Sequence, residues 1–145
     1  MPPHPITPDE LHELLTSTDP ARTGVLATVR DDGRPHVVPI WFVLDESDGS
    51  LVFNTGVGSV KGRNLASQGR AAICVETTEP PYTFAMIEGR VTLSEDPAEL
   101  LTWATRIGTR YVGPERGEEL GKRNGAPGSY VVRVHRDKVT GLADL

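Results

Sequence analysis

The sequence predicts a mainly β protein, a small antiparallel barrel with peripheral helices, formed as a single domain over residues 1–145. Three observations lead there. Apolar residues alternate with period two in short runs, separated by Gly, Asp, Pro and Ser clusters, as in hairpin-connected strands. Successive runs follow too closely for the crossover helices of a doubly wound sheet. Only two or three segments carry helix signals, against six or seven strands.

Thr7, Pro8 and Glu10 fill the N-cap, N1 and N3 positions of a capping box, with Ile6 and Leu11 as a hydrophobic staple. A packing helix therefore runs from there to about Leu15, with His12 on its polar side. Gly24–Val29 is then a strand, Asp31–Arg34 a tight turn, and Pro35–Leu44 the returning strand. Pro39 offers no ladder donor, so this strand should lie at an edge or bulge there. Glu46–Ser50 is a turn, Leu51–Thr55 a strand, and Gly56–Gly58 a loop into a helix that starts at Ser59 and stops at Gly69. Ala71–Glu76 reads as a fourth strand, with Cys74 a small hydrophobe within it. After the Thr77–Pro81 loop, Tyr82–Leu93 reads as a longer strand broken by Gly89. Asp96, Pro97 and Glu99 open a helix to about Val112. Its Leu100, Trp103, Ala104, Ile107 and Tyr111 recur at helical spacing as core or dimer contacts. Gly113–Gly128 is polar and Gly-rich and reads as a mobile loop. Ser129–His135 and Lys138–Leu142 close the sheet.

The stretch Leu51–Leu65, LVFNTGVGSVKGRNL, carries the chemistry. Ser59 at a helix start satisfies one orphan N–H and leaves others pointing outward at the positive end of the helix dipole. Glycines before it let a ligand approach the backbone, and Lys61 and Arg63 would add two charges on the same spot. That pattern fits a phosphate site. The same residues also fit ordinary strand-to-helix punctuation with solvated cations.

The chain has a formal net charge of −5, which lacks the basic footprint of a nucleic-acid module. One cysteine forms no intrachain disulfide and suits a reducing compartment. No apolar stretch approaches a membrane span or a signal-peptide core, so a soluble cytoplasmic protein is expected. The four histidines (His4, His12, His36, His135) are scattered, which gives no metal site. Hydrolase elbow, Walker A and dinucleotide fingerprints are absent. An enzyme with this sequence would take its reactive atom from a cofactor.

The hairpin GVLATV…DGRPHVVPIWF, followed by LVFNT…SVKGRNL and a strand ending IEGRV, resembles the split β-barrel superfamily of pyridoxamine-phosphate-oxidase-like proteins. Within it, the chain is most similar to short reductases that use the deazaflavin coenzyme F420. The resemblance implies a homodimer with two cofactor sites at the interface. Thr55, Ser59 and Lys61 match phosphate-contacting positions, with Asn64 close by and Arg63 a substitute for the basic contact that Val60 replaces. His36, Val38, Pro39 and Trp41 match the strand beside the flavin-like ring. Phe84, with Tyr82 near it, matches positions that the partner subunit contributes. Trp41 and Phe84 equally fit plain core packing, and His36 fits a solvent-facing strand residue.

Val60 stands where oxidases of pyridoxamine phosphate carry a basic residue, and the C-terminal segment is shorter than theirs. Both departures argue against vitamin B6 oxidation. The implied function is hydride transfer from reduced F420 to an unsaturated organic small-molecule substrate, with Tyr82 or water as proton donor. FMN in the same groove is the alternative cofactor, and a non-catalytic cofactor carrier the alternative class.

Overall fold

The computed structural model describes residues Met1–Leu145. Its elements in chain order are β1 (His4–Pro5), α1 (Pro8–Thr16), β2 (Gly24–Val29), β3 (Pro35–Ile40), β4 (Val43–Leu44), β5 (Leu51–Gly56), α2 (Val60–Gln68), β6 (Arg70–Glu76), β7 (Phe84–Ser94), α3 (Pro97–Val112), α4 (Pro114–Asn124), β8 (Ser129–Val134) and β9 (Lys138–Ala143). Every strand pairing is antiparallel. Strands run β3-β2-β6-β7-β8-β5-β4, with β9 also on β7 and β1 on β9. The split barrel expected from the sequence is the fold observed.

β7 joins the two halves. Its first part pairs with β6 and β9, and Val91–Ser94 pairs with β8 instead. Gly89 therefore marks a bend within one strand and does not end it. A second crossing occurs after β3. Pro39 still faces Val25 in register, and the strand breaks two residues later, at Trp41–Phe42, where the chain passes to β4 beside β5. β3 is an edge strand, which a central proline requires.

Leu26, Phe42, Phe53, Leu65, Ile73, Ile87 and Val132 fill the interior, closed on one side by Leu11, Leu14 and Leu15 of α1. The capping box forms as read: Thr7 Oγ1 accepts from the Glu10 N–H at 3.2 Å, and Glu10 Oε1 accepts from the Thr7 N–H at 3.0 Å. Leu100, Trp103 and Ile107 of α3 form a second cluster with Val43, Val52 and Val131. Gly69 ends α2 with φ of 69°, a left-handed conformation suited to glycine.

Three expectations are corrected. Residues 114–124, expected within a mobile loop, form α4. Its only apolar side chain, Leu120, gives no periodic signal, because the seam against α3 is built from glycines. A Cβ at Gly117 would lie 2.3 Å from Thr109 Oγ1, and one at Gly121 2.1 Å from Thr105 Oγ1. The helices meet backbone to backbone, and dispersion replaces side-chain burial. Tyr82 lies outside the strand; β7 starts at Phe84. The two-residue β1 and β4 and the fourth helix exceed the expected number of elements.

Candidate functional site

The site is built around the start of α2. Ser59 Oγ accepts from the Gly62 N–H at 3.0 Å, donates to the Gly56 carbonyl at 2.7 Å, and lies 3.1 Å from Thr55 Oγ1. With its proton on Gly56, Ser59 accepts from the buried Thr55 hydroxyl. Both side chains are thus spent on holding the loop in shape. Gly62 is required, since a Cβ there would sit 2.2 Å from the Gly56 carbonyl oxygen. What faces outward is backbone: the N–H groups of Gly58, Val60 and Lys61 donate to nothing within the chain. Nothing lies within 4 Å of where a Cβ of Gly56 or Gly58 would stand, so the approach is open. Free N–H groups at a helix start with an adjoining ammonium can receive an anion.

Lys61 makes no salt bridge. It lines a cavity of about 220 Å³ with Pro39, Ile40 and Trp41 at the end of β3, Asn54 of β5, Ala104 and Ile107 of α3, and Asn124 of α4. One wall is flat and apolar, and one edge is cationic. Trp41 lies in a near-parallel stack on Tyr111, centroids 4.8 Å apart and planes 8° from parallel. A third flat group can join that stack.

The remaining expected residues divide. Arg63 does not share a spot with Lys61. Two residues along a helix turn the side chain about 200°, and Arg63 lines a separate recess of about 380 Å³ with Arg30, Asp31, Asp32, Arg34, Val60 and Asn64. Asn64 is buried, its Nδ2 donating to Thr28 Oγ1 at 3.1 Å, so its amide ties α2 to β2. His36 and Val38 lie further back along β3 and do not line the Lys61 cavity; His36 is half-buried and Val38 packs on the core. Phe84 and Tyr82 are also away from that cavity of the same chain. Tyr82 is exposed and exchanges backbone hydrogen bonds with Leu145, at 3.1 and 2.9 Å. The resemblance assigns these two to a second copy.

Sequence reasoning missed Asn54 and Asn124 as cavity residues and read Ala104 and Ile107 as core or dimer contacts. For α3 the periodic stripe was the usable signal, because a stripe wider than one packing partner has a side to spare. Cavity size alone would mislead: a larger recess, about 490 Å³, between α1 and β9 holds no titratable side chain. Burial pushes the Cys74 thiol up, which keeps it protonated and unreactive. His4, Glu10 and Asp144 bring ligand atoms within 4.8 Å of one another, one histidine with two carboxylates. The His4 ring nitrogens are engaged by Glu10 at 2.9 Å and by the Pro2 carbonyl at 2.9 Å.

Comparison with known proteins agrees with this fold. A conserved hypothetical protein from Mycobacterium tuberculosis superposes with a TM-score of 0.81 at 23% identity, over 96% of this chain and 86% of that one. An F420 reductase superposes with a TM-score of 0.72 at 26% identity, over 88% of this chain and 94% of its own. A pyridoxamine 5'-phosphate oxidase-related, FMN-binding protein from Nostoc punctiforme gives 0.67 at 20% identity, over 94% and 84%. No curated protein matches. No helix is long and apolar enough to cross a membrane. The pyridoxamine 5'-phosphate oxidase family pattern matches residues 7–142, nearly the whole barrel and both sides of the cavity, and the chain belongs to that family.

Proposed function

We propose that the protein is an oxidoreductase that binds reduced coenzyme F420 and reduces an unsaturated organic substrate. The observation that carries this reading is a single cavity in which Lys61, beside the free N–H groups of α2, meets the flat wall of Pro39, Ile40 and Trp41. An anionic group and an aromatic ring joined in one molecule fit that pairing. The likeness to an F420 reductase at 26% identity over nearly both chains supports the deazaflavin over FMN.

When bound, the deazaflavin supplies a hydride to the substrate. The α2 N–H groups and Lys61 hold the phosphate, with Ser59 and Thr55 keeping the loop in shape and Arg63 reaching only a group extending past α2. Trp41 offers its face to the ring, and Pro39 and Ile40 border it at the strand end. Ile107 and Ala104 exclude water from that wall. Fixing donor and acceptor at near-attack distance is then the main contribution of the protein. Phe84 and Tyr82 of a second copy would complete the site, with Tyr82 as proton donor. Exposed Val25, Val29 and Val37 on β2 and β3, with Leu142 on the same face of β9, offer an apolar face for that copy.

Fluorescence titration with F420 and separately with FMN, on wild type and Lys61→Ala, tests the reading. Loss of one charge-assisted contact, about 1.5–3 kcal/mol, should weaken F420 binding roughly ten- to hundredfold. FMN binding without F420 binding would move the protein to the flavin branch. Binding of neither would sink the cofactor reading altogether.

A further inference from the structure

β3 leaves its sheet at Ile40 and β4 joins the other at Val43, so the peptide of buried Phe42 lies between two ladders. Buried backbone groups need partners, and here α3 supplies both from side chains. Tyr111 Oη accepts from the Phe42 N–H at 3.2 Å, and Arg110 Nη1 donates to the Phe42 carbonyl at 2.7 Å. The Tyr111 hydroxyl donates to the Arg22 carbonyl at 2.8 Å and accepts from Arg110 Nη1 at 3.2 Å. Arg110 Nε reaches the Ser17 carbonyl at 3.3 Å. No carboxylate pairs with Arg110. Its guanidinium instead lies 4.7 Å from the Phe42 ring centroid and 5.1 Å from that of Tyr111.

This is an expensive way to hold a strand crossing, because a half-buried cation without an anion loses hydration that an apolar plug would not. Its geometric product is specific. Tyr111 covers one face of Trp41, while Arg110 and Tyr111 clamp the peptide next to it. Trp41 remains 39% exposed and lines the Lys61 cavity, which Tyr111 and Arg110 do not.

We propose that Tyr111 and Arg110 are positioning residues for the ring of the bound cofactor, acting wholly through the orientation of Trp41. The proposal rests on the cofactor reading above and assigns it two residues that touch no ligand. A flat ligand gains from the stack only where the Trp41 plane is fixed beforehand, since fixing it on binding costs side-chain entropy.

The test is a double-mutant cycle. Wild type, Trp41→Leu, Tyr111→Leu and the double variant are titrated with F420 and with FMN, after thermal melts confirm folding. Acrylamide quenching of the Trp41 emission, taken as the difference from Trp41→Leu, is measured in parallel without cofactor. Tyr111→Leu should weaken ring binding roughly three- to tenfold and raise Trp41 quenching. In the Trp41→Leu background it should add less than about twofold, because the route through Trp41 is already gone. Additive losses, or a folded Tyr111→Leu with unchanged affinity and quenching, would overturn the proposal. If Tyr111→Leu does not fold, Arg110→Gln and Tyr111→Phe carry the same two readouts, and unchanged quenching in both overturns it. If wild type binds neither cofactor, the cofactor reading fails by itself, and quenching still decides whether Tyr111 holds Trp41.

Discussion

Two helices reach the candidate cavity, α2 with Lys61 and α4 with Asn124, and are held in opposite ways. α2 is capped by the Ser59 side chain, sinks Leu65 into the core and ties Asn64 to Thr28 inside the barrel. α4 has no side-chain cap, buries one apolar side chain, and rests on α3 through a glycine seam. The first side is fixed by polar contacts and core burial together. The second is fixed by close fit alone. A binding edge that must present free N–H groups in one arrangement needs the first kind of support. A wall that only has to exclude water and shape a substrate can use the second, which tolerates change without disturbing the barrel.

The sharpest way to break the comparison is to remove the core anchor of α2. Leu65→Ala should cost about 2–5 kcal/mol of stability, read by denaturant unfolding, and should weaken cofactor binding with it. An affinity unchanged in a destabilised protein would show that the cradle does not depend on core burial. Next come the glycines. A Cβ at position 62 meets a backbone oxygen, which cannot yield, whereas one at position 121 first meets the Thr105 hydroxyl. Gly62→Ala and Gly121→Ala should each cost about 1–3 kcal/mol by overpacking. Gly62→Ala should also abolish phosphate-dependent affinity. Gly121→Ala should leave cofactor affinity within about twofold and act on substrate KM. Equal effects of the two on cofactor affinity would erase the distinction between cradle and wall.

The same contrast decides what could be read without coordinates. The cap at Ser59, the stop at Gly69 and the edge position of β3 follow from local stereochemistry, which Ser, Gly and Pro impose wherever they stand. The capping box at Thr7 and Glu10 was legible for the same reason. α4 was not, because its packing signal is an absence of side chains, and a run rich in Gly and charge looks like a loop until the partner helix is beside it. Arg63 and Asn64 stand apart from the Lys61 cavity for a different reason. Spacing places them near Lys61 along the chain, but helical rotation turns one toward a separate recess and the other into the core. The anchoring of Trp41 by Tyr111 joins residues 70 apart in sequence, and no local pattern could have paired them.

The smallest effect separates the two sides by pH. Burial raises the Tyr111 phenol above its ordinary value, with the Phe42 N–H and the Arg110 guanidinium opposing that shift. A raised folded-state pKa means that the unfolded chain ionises first as pH increases. The contribution of Tyr111 is therefore complete below about pH 10, the ordinary tyrosine value, and is lost as pH rises from there through the folded value. No group of the Ser59 cap titrates in that range, since hydroxyls and backbone amides hold it. Melting temperature measured from pH 8 to 11 should accordingly fall less steeply above pH 10 in Tyr111→Phe than in wild type, while Ser59→Ala should lower the whole curve by the cost of a lost cap, about 0.5–2 kcal/mol, without changing its slope. Parallel curves for wild type and Tyr111→Phe would mean that the Tyr111 hydroxyl contributes nothing to stability that the apolar ring does not.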